Sequence, residues 1–240
     1  MKNYEEFLKA RSTAHGLDGR LRIFIDLYRS YRASRGKNLR ILDIGCGPRA
    51  RLRDLVDRRD RYAACDYFDS IQVQVDDYRR VDLNKDSLSD AYRGQTFDVV
   101  FCGEVIEHLF SPDALLEEIA DLMHGESILI ISTPNLGYYL NRLMLLFGIS
   151  PFFLENSSEL KLGRKFRFLG QGNPTEGHIR LFTFGAVLDL LRLKGFRVLK
   201  VVGAPGPWNF FLDDVVRRLS HGLAPNNVFV VKKAAPATKP

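Results

Sequence analysis

Ile41-Leu42-Asp43-Ile44-Gly45-Cys46-Gly47-Pro48 is the stretch on which the fold turns. It opens as an apolar, β-prone run broken by one acid. It then passes through Gly-x-Gly into a proline suited to the first turn of a helix, where its missing N–H costs nothing. Gly45 and Gly47 permit positive φ and close backbone approach to a ligand. A strand, a glycine turn and a helix in that order are how an open α/β sheet holds a nucleotide-like cofactor. The stretch departs from the dinucleotide pattern G-x-G-x-x-G, because Ala50 stands where the third glycine belongs. Asp43, two residues before the first glycine, suits a cationic or donor-rich group better than a pyrophosphate.

Working outward, the pattern keeps alternating. Residues 17–34 carry Leu17, Leu21, Phe24, Tyr28 and Tyr31 at helical spacing. Strands are expected at 39–44, at 61–65 ending in Asp66, at 78–81 ending in Asp82, at 97–102, within 126–133, at 196–202 and at 228–232. Helices are expected after Pro48, after the Ser111-Pro112 cap, and from the Thr183 cap to Gly195. Strands alternating with helices predict a doubly wound, mostly parallel α/β sheet. The 240 residues, 45% apolar, fit a single domain over 1–240. Two long connections, 135–180 and 203–227, leave strand carboxyl ends and can roof one cleft as lids. The Ala/Pro/Lys-rich tail, 234–240, is expected to be disordered.

Further acids and glycines fall at matching places. Asp66 follows the second strand, nineteen residues after Gly47, where a carboxylate can accept both hydroxyls of a ribose. Asp82-Leu83-Asn84 follows the third strand and Cys102-Gly103-Glu104 the fourth. Together with D-x-G-x-G these motifs resemble the class I S-adenosylmethionine-dependent methyltransferases. The resemblance implies a seven-stranded Rossmann-like sheet with its last strand antiparallel, and S-adenosylmethionine as cofactor. It places Asp43, Gly45, Cys46 and Gly47 against the amino-acid part of that cofactor and Asp66 and Tyr67 at the ribose. It places Asp82 at the adenine amino group, Leu83 against the ring, and the Gly103 backbone beneath. Asp98 is expected instead to tie down a neighbouring strand or loop.

Glu104-Val105-Ile106-Glu107-His108 follows at once. If it is helical, Glu104, Glu107 and His108 share a face. Two carboxylates and an imidazole there suit a divalent cation such as Mg, or leave His108 as a base, or pack structurally. The run resembles the E-V-x-E-H of two metal-using O-methyltransferase groups, those of quinone biosynthesis and of small-RNA 3′ ends. The resemblance implies that His178, in Gly177-His-Ile-Arg-Leu-Phe-Thr183, completes the site. Glu104, Glu107, His108 and His178 are thus the candidate metal ligands, and His108 and His178 the candidate catalytic bases. His15, His124 and His221 read as surface or capping residues.

The acceptor is written less plainly. The first connection is oily (Tyr138, Tyr139, Leu140, Met144 to Phe147, Phe152, Phe153) and then basic (Lys161, Arg164, Lys165, Arg167), and the second holds Trp208, Phe210 and Phe211. A small, apolar or lipid- or glycan-linked acceptor fits, with contact to a membrane surface. No apolar run reaches the ~20 residues that span a bilayer. Net charge is +6, and residues 20–61 hold thirteen Lys/Arg against five acids. That face gives a second reading, 2′-O methylation of RNA, although no aromatics interleave with the basic residues. A cofactor-binding subunit without catalysis is a third. Cys46, Cys65 and Cys102 have no paired spacing and read as buried free thiols. With no disulfide pattern and no leader sequence, a cytoplasmic setting is expected.

Overall fold

The computed structural model describes residues 19–36, 38–206 and 211–234. Seven strands form one sheet: β1 (Arg40–Ile44), β2 (Arg61–Asp66), β3 (Asp77–Arg80), β4 (Phe97–Gly103), β5 (Met123–Pro134), β6 (Phe196–Ala204) and β7 (Asn226–Lys233). Their order is β3-β2-β1-β4-β5-β7-β6. β1 to β5 pair in parallel, whereas β7 runs antiparallel to both its neighbours, β5 and β6. The chain leaves β1 toward one edge of the sheet and occupies the other side from β4 onward. The crevice where strand order reverses therefore lies over the carboxyl ends of β1 and β4, at Gly45 and Gly103.

Strand alternation sends successive residues to opposite faces, and both faces are covered. Leu42, Ile44, Val100, Cys102, Leu129 and Ile131 pack with α3 (Pro112–Asp121) and α5 (Phe184–Leu193). Ile41, Val99, Phe101, Ile128 and Ile130 pack with Phe24, Ile25, Leu27 and Tyr28 of α1 (Gly19–Arg35). α2 is the short Leu88–Ala91. Ser111 and Thr183 cap their helices as expected, accepting from the backbone N–H of Ala114 and Ala186. Gly195 ends α5 at φ 73°. Asp98 ties strands together, accepting from Arg40 N at 2.8 Å and meeting His124 Nε2 at 3.1 Å.

Three expectations are corrected. The segment after Pro48 is a chain of turns, not a helix: Ala50, fully buried, sits at φ 38°, which breaks the ladder, and the N–H groups of Arg53 and Leu55 reach back only three residues. Leu52 and Val56 are nonetheless buried. β3 lies one residue earlier than expected. The second connection is shorter than 203–227, because the β6–β7 pairing continues to Ala204 and Asn226. Residues 207–210, with Trp208 and Phe210, lie outside the described residues, as do His15 and the tail from 235.

The first connection closes on itself. Asn135 bridges Phe182 beside β5, and Leu136 N donates to Phe182 O at 2.8 Å. Within this loop α4 (Tyr139–Leu146) packs into a small core of Tyr138, Met144 and Phe152. Tyr138 Oη donates to Asp213 Oδ1 at 2.6 Å, tying the loop to α6 (Phe211–Leu219) in the second connection. No helix of the described residues is long and apolar enough to cross a membrane. Some of the basic charge near the N-terminus is spent internally, in pairs such as Arg35–Glu126 and Arg59–Asp57.

One buried carboxylate secures α1 to the sheet. Asp60, 1% exposed, accepts from Tyr28 Oη, from Arg32 Nε at 2.9 Å and from Leu39 N at 2.9 Å. Asp60→Ala leaves a buried amide and a buried hydroxyl without acceptors, so a loss of about 3 kcal/mol is expected. Urea unfolding should show the midpoint falling with the slope unchanged; a midpoint equal to wild type would remove this role.

Candidate active site

The crevice at the switch point holds a cavity of about 150 Å³, lined by Arg20, Leu21 and Phe24 of α1, by Asp43, Gly45, Cys46 and Gly103 from the sheet edge, and by Arg51 and Leu52. Gly45 and Gly47 take φ of 67° and 68°, the left-handed region that favours glycine. A Cβ on Gly45 would lie 2.5 Å from Val105 Cγ2, whereas one on Gly47 would meet nothing within 4 Å. The turn is thus packed on one side and open on the other. Asp66 braces it: Oδ2 accepts from Gly47 N and Oδ1 from Tyr67 N, each at 2.8 Å. A third backbone amide, that of Phe68, also faces the carboxylate. Burial nonetheless holds Asp66 above the usual carboxylate range. Asp43 is 4% exposed, takes a bond from Tyr62 Oη, and is pushed by burial up to about 7.

Of the expected cofactor residues, Asp43, Gly45, Cys46 and Gly103 line the cavity, while Gly47 and Asp66 bond to each other beside Cys46 and are not among its lining residues. Tyr67 is exposed, its ring 4.2 Å from that of Phe68 and tilted by 33°. Leu83 packs against the core. Asp82 caps its own turn, accepting from Asn84 N at 3.1 Å and pairing with Lys85 at 2.6 Å. The cysteines are free: Cys65 and Cys102 are buried and Cys46 half-buried, and burial pushes all three thiols up.

Four residues beyond Gly103 a second cluster begins. Ile106–His108 is a single 3-10 turn, and Glu104 before it stands at φ 58°. That break corrects the expected common face. Glu104 turns away to Arg20 at 2.6 Å, to Ser132 Oγ and to Asn226 Nδ2, each of the latter at 2.9 Å. Glu107, His108 and His178 do converge, offering donor atoms within 4.8 Å of one another. The two rings lie 4.9 Å apart. Each imidazole places Nδ1 on a backbone carbonyl, His108 on Gly177 O at 3.0 Å and His178 on Phe153 O at 3.1 Å. A carbonyl only accepts, so Nδ1 carries the proton and Nε2 keeps its lone pair. Glu107 is fully buried; Thr133 Oγ1 donates to its Oε2 at 3.0 Å and its Oε1 has no partner among the described residues. Burial first, then Glu104, holds this carboxyl well above its usual range. Burial, then His178, lowers the His108 pKa.

The cluster fits either chemistry expected of it. Two bare Nε2 atoms and a buried, unsatisfied oxygen form a donor set for a divalent cation, without Glu104. The same lone pairs can take a proton. Arg20 was not legible as a site residue by any motif of its own. His221, expected as a surface or capping residue, has its Nδ1 buried without a partner among the described residues.

A methyltransferase-domain family model matches residues 14–201. This chain belongs to that family. It is a class I S-adenosylmethionine-dependent methyltransferase in fold and motif. Two curated relatives are similar to this methyltransferase over part of its length, and both are named ubiquinone biosynthesis O-methyltransferase. The one from Parvibaculum lavamentivorans is 33% identical over 141 residues, 54% of this chain and 49% of the relative. The one from Azorhizobium caulinodans is 36% identical over 110 residues, 41% and 42% respectively. The chain thus spans about half the length of the curated relatives it matches. Among solved structures, a methyltransferase from Clostridium acetobutylicum superposes with TM-score 0.63 at 11% identity, covering 97% of this chain and 99% of that one. The 1,6-didemethyltoxoflavin-N1-methyltransferase of Burkholderia thailandensis gives 0.59 at 13%, covering 98% and 87%. These identities carry the fold alone.

Proposed function

We propose that this methyltransferase moves a methyl group from S-adenosylmethionine to a hydroxyl on a small acceptor with an apolar body. The observation that carries the reading is the pair of oriented imidazoles, His108 on the segment that follows Gly103 and His178 on the loop that packs against it, each with a bare Nε2. When bound, the cofactor supplies an electrophilic methyl on a sulfonium. The chain's own residues do the rest. The Gly45–Gly47 turn lets the backbone approach, and Asp66 offers its carboxylate to the ribose hydroxyls. Asp43 faces the donor-rich amino-acid end, and Arg20 and Arg51 line the same cavity. Transfer needs the acceptor oxygen in line and stripped of its proton, so alignment and a base are what the protein must add. Nε2 of His108 or His178 is that base.

The apolar body is read from the connections. Tyr139, Leu140, Met144, Phe152, Leu169 and Leu212 are among the lining of a cavity of about 650 Å³, to which both insertions contribute. It shares no lining residue with the cofactor cavity. Phe152 is nevertheless next in sequence to Phe153, whose carbonyl holds His178. An acceptor with its hydroxyl at the histidines could thus lay an apolar chain along that wall. The relatives' name, an O-methyltransferase of ubiquinone biosynthesis, supports the oxygen acceptor.

The test supplies S-adenosylmethionine with hydroxylated aromatic compounds, with and without an alkyl chain. Methylated product is expected with both, and the alkyl chain should lower KM by about tenfold or more. Equal KM values would remove the cavity from the account, and transfer only to amines would overturn the oxygen acceptor. The donor set of Glu107, His108 and His178 favours one alternative, a divalent cation activating the hydroxyl. Stripping with a chelator decides it: unchanged turnover leaves the imidazole base, and turnover restored by Mg establishes the cation.

A further inference from the structure

The loop that carries His178 is held by a carboxylate that no motif marks. Glu155, its side chain 3% exposed, accepts from three consecutive backbone N–H groups: Glu176 N at 2.6 Å on Oε1, and Gly177 N and His178 N at 2.8 Å each on Oε2. Lys161, likewise nearly buried, supplies the countercharge, 3.8 Å from Glu155 and 2.5 Å from Glu176. A buried carboxylate facing three amides and a lysine is well satisfied, and bonds to a charged acceptor are among the stronger ones in a protein.

The three amides belong to the residues that fix both histidines. The Gly177 carbonyl takes the Nδ1 proton of His108. His178 itself gives its Nδ1 proton to Phe153 O, two residues before Glu155. Segments 153–155 and 176–178 therefore close on each other through four hydrogen bonds, one from a ring and three onto a carboxylate. Gly177 at φ 85° makes the turn that presents its carbonyl to His108. A Cβ at that glycine would come within 3.6 Å of His108 Nδ1, so the backbone lies directly against the ring.

We infer that Glu155 is a positioning residue: by clamping the 176–178 backbone it sets the tautomer of both His108 and His178, leaving each Nε2 bare toward the acceptor. This deepens the reading of the histidines as reacting groups and rests on it. Glu155 touches neither cofactor nor acceptor in this account; it acts through two carbonyls. The arrangement also ties the folding of the first insertion to the chemistry, because the carboxylate and the histidine it holds both lie within the loop closed at Asn135 and Phe182.

The test uses the full-length chain labelled with 15N. Long-range imidazole spectra at about pH 8, above the ordinary histidine pKa of about 6.5, report which ring nitrogen is protonated. Wild type should show both rings with protonated Nδ1. Glu155→Gln keeps the shape and one acceptor oxygen but loses the charge and turns an N–H toward a backbone N–H. Both rings should then become tautomer mixtures, and the amides of 176–178 should exchange about tenfold faster or more. S-adenosylmethionine affinity by calorimetry should stay within about twofold, since no cofactor contact changes. Faster amide exchange with unchanged tautomers would make Glu155 merely structural and overturn the inference, as would no change in either. Should Glu155→Gln lose the insertion's native resonances, Glu155→Asp, which keeps the charge at shorter reach, decides by the same spectra: mixed tautomers support the clamp, uniform ones reject it. A wild-type chain that fails to bind S-adenosylmethionine would overturn the proposed function while leaving the clamp intact, so the two failures are distinguishable.

Discussion

Gly45→Val should weaken S-adenosylmethionine binding by about 100-fold or more. Two independent effects combine. A non-glycine residue at φ 67° carries left-handed strain of about 1–2 kcal/mol, more for a β-branched side chain. Its Cβ would also lie 2.5 Å from Val105 Cγ2, which real contacts do not tolerate, so the Val105 side chain or the turn itself must shift. Gly45 lines the cavity, so a displaced turn changes the cavity directly. Gly47 makes the contrast. A Cβ there meets no protein atom within 4 Å, so Gly47→Ala should cost the fold only the φ strain. If the cofactor occupies that open side, Gly47→Ala loses affinity well beyond its loss of stability. Calorimetry for affinity and denaturant titration for stability separate the two; Gly45→Val binding the cofactor as wild type does would sink the cradle.

His178→Ala and His108→Ala should each lower turnover by about 10²–10⁴-fold, the usual contribution of a positioned base, with cofactor affinity nearly unchanged. The pH profile has a defined sign. Burial, and then His178, hold the His108 pKa below its ordinary value, so its Nε2 is bare at neutral pH. The rate should rise with pH along a limb whose midpoint lies below about 6.5 and then level off. Removing His178 takes away the smaller cause, so the limb should move up toward the ordinary value without reaching it. Stability follows the same linkage. The unfolded chain takes up the proton at about 6.5 and the folded one only at lower pH. The contribution of His108 is therefore fully present above the unfolded pKa and is lost as pH falls through the folded one. A double variant no slower than either single variant would show the two rings acting as one unit; full activity in either single variant would remove that histidine from the chemistry.

Much of the fold was legible because its signals are local. A short, largely apolar strand, the glycine pair and the acids at strand ends each occupy a short window, and their spacing leaves few arrangements of the sheet. The caps at Ser111 and Thr183 are equally local. The segment after Pro48 was misread for a physical reason: the proline and the apolar spacing of Leu52, Leu55 and Val56 both favour a helix, and nothing in an alanine announces the positive φ that Ala50 adopts under burial. The candidate site divides in the same way. Glu107 and His108 are adjacent in sequence and meet as expected. Glu104 could not be placed by spacing, because its partners Arg20, Ser132 and Asn226 come from three distant parts of the chain. Glu155 and Lys161 were read only as members of an oily and basic insertion. Their role depends on where residues 176–178 return, which is a property of the closed loop and of no short motif.

The same division explains why the acceptor is the last feature to emerge. The cofactor side is built on strand ends, where geometry is repeated from one doubly wound sheet to the next. The proposed acceptor side lies on two connections, the first of which has a small core of its own, Tyr138, Met144 and Phe152, separate from the cores of the sheet. Such loops vary freely on a fixed scaffold and carry specificity for that reason.

The central claim is that the glycine turn and the Glu107–His108–His178 cluster serve one reaction. A crystal structure of the chain with S-adenosylhomocysteine, the product left after methyl transfer, tests it most directly. The account predicts the ribose hydroxyls on Asp66, the amino-acid end beside Asp43 and Arg20, and the sulfur facing the side on which His108 and His178 present Nε2. A cofactor bound with its sulfur turned away from both histidines, or seated apart from Gly45 and Asp66, would contradict it.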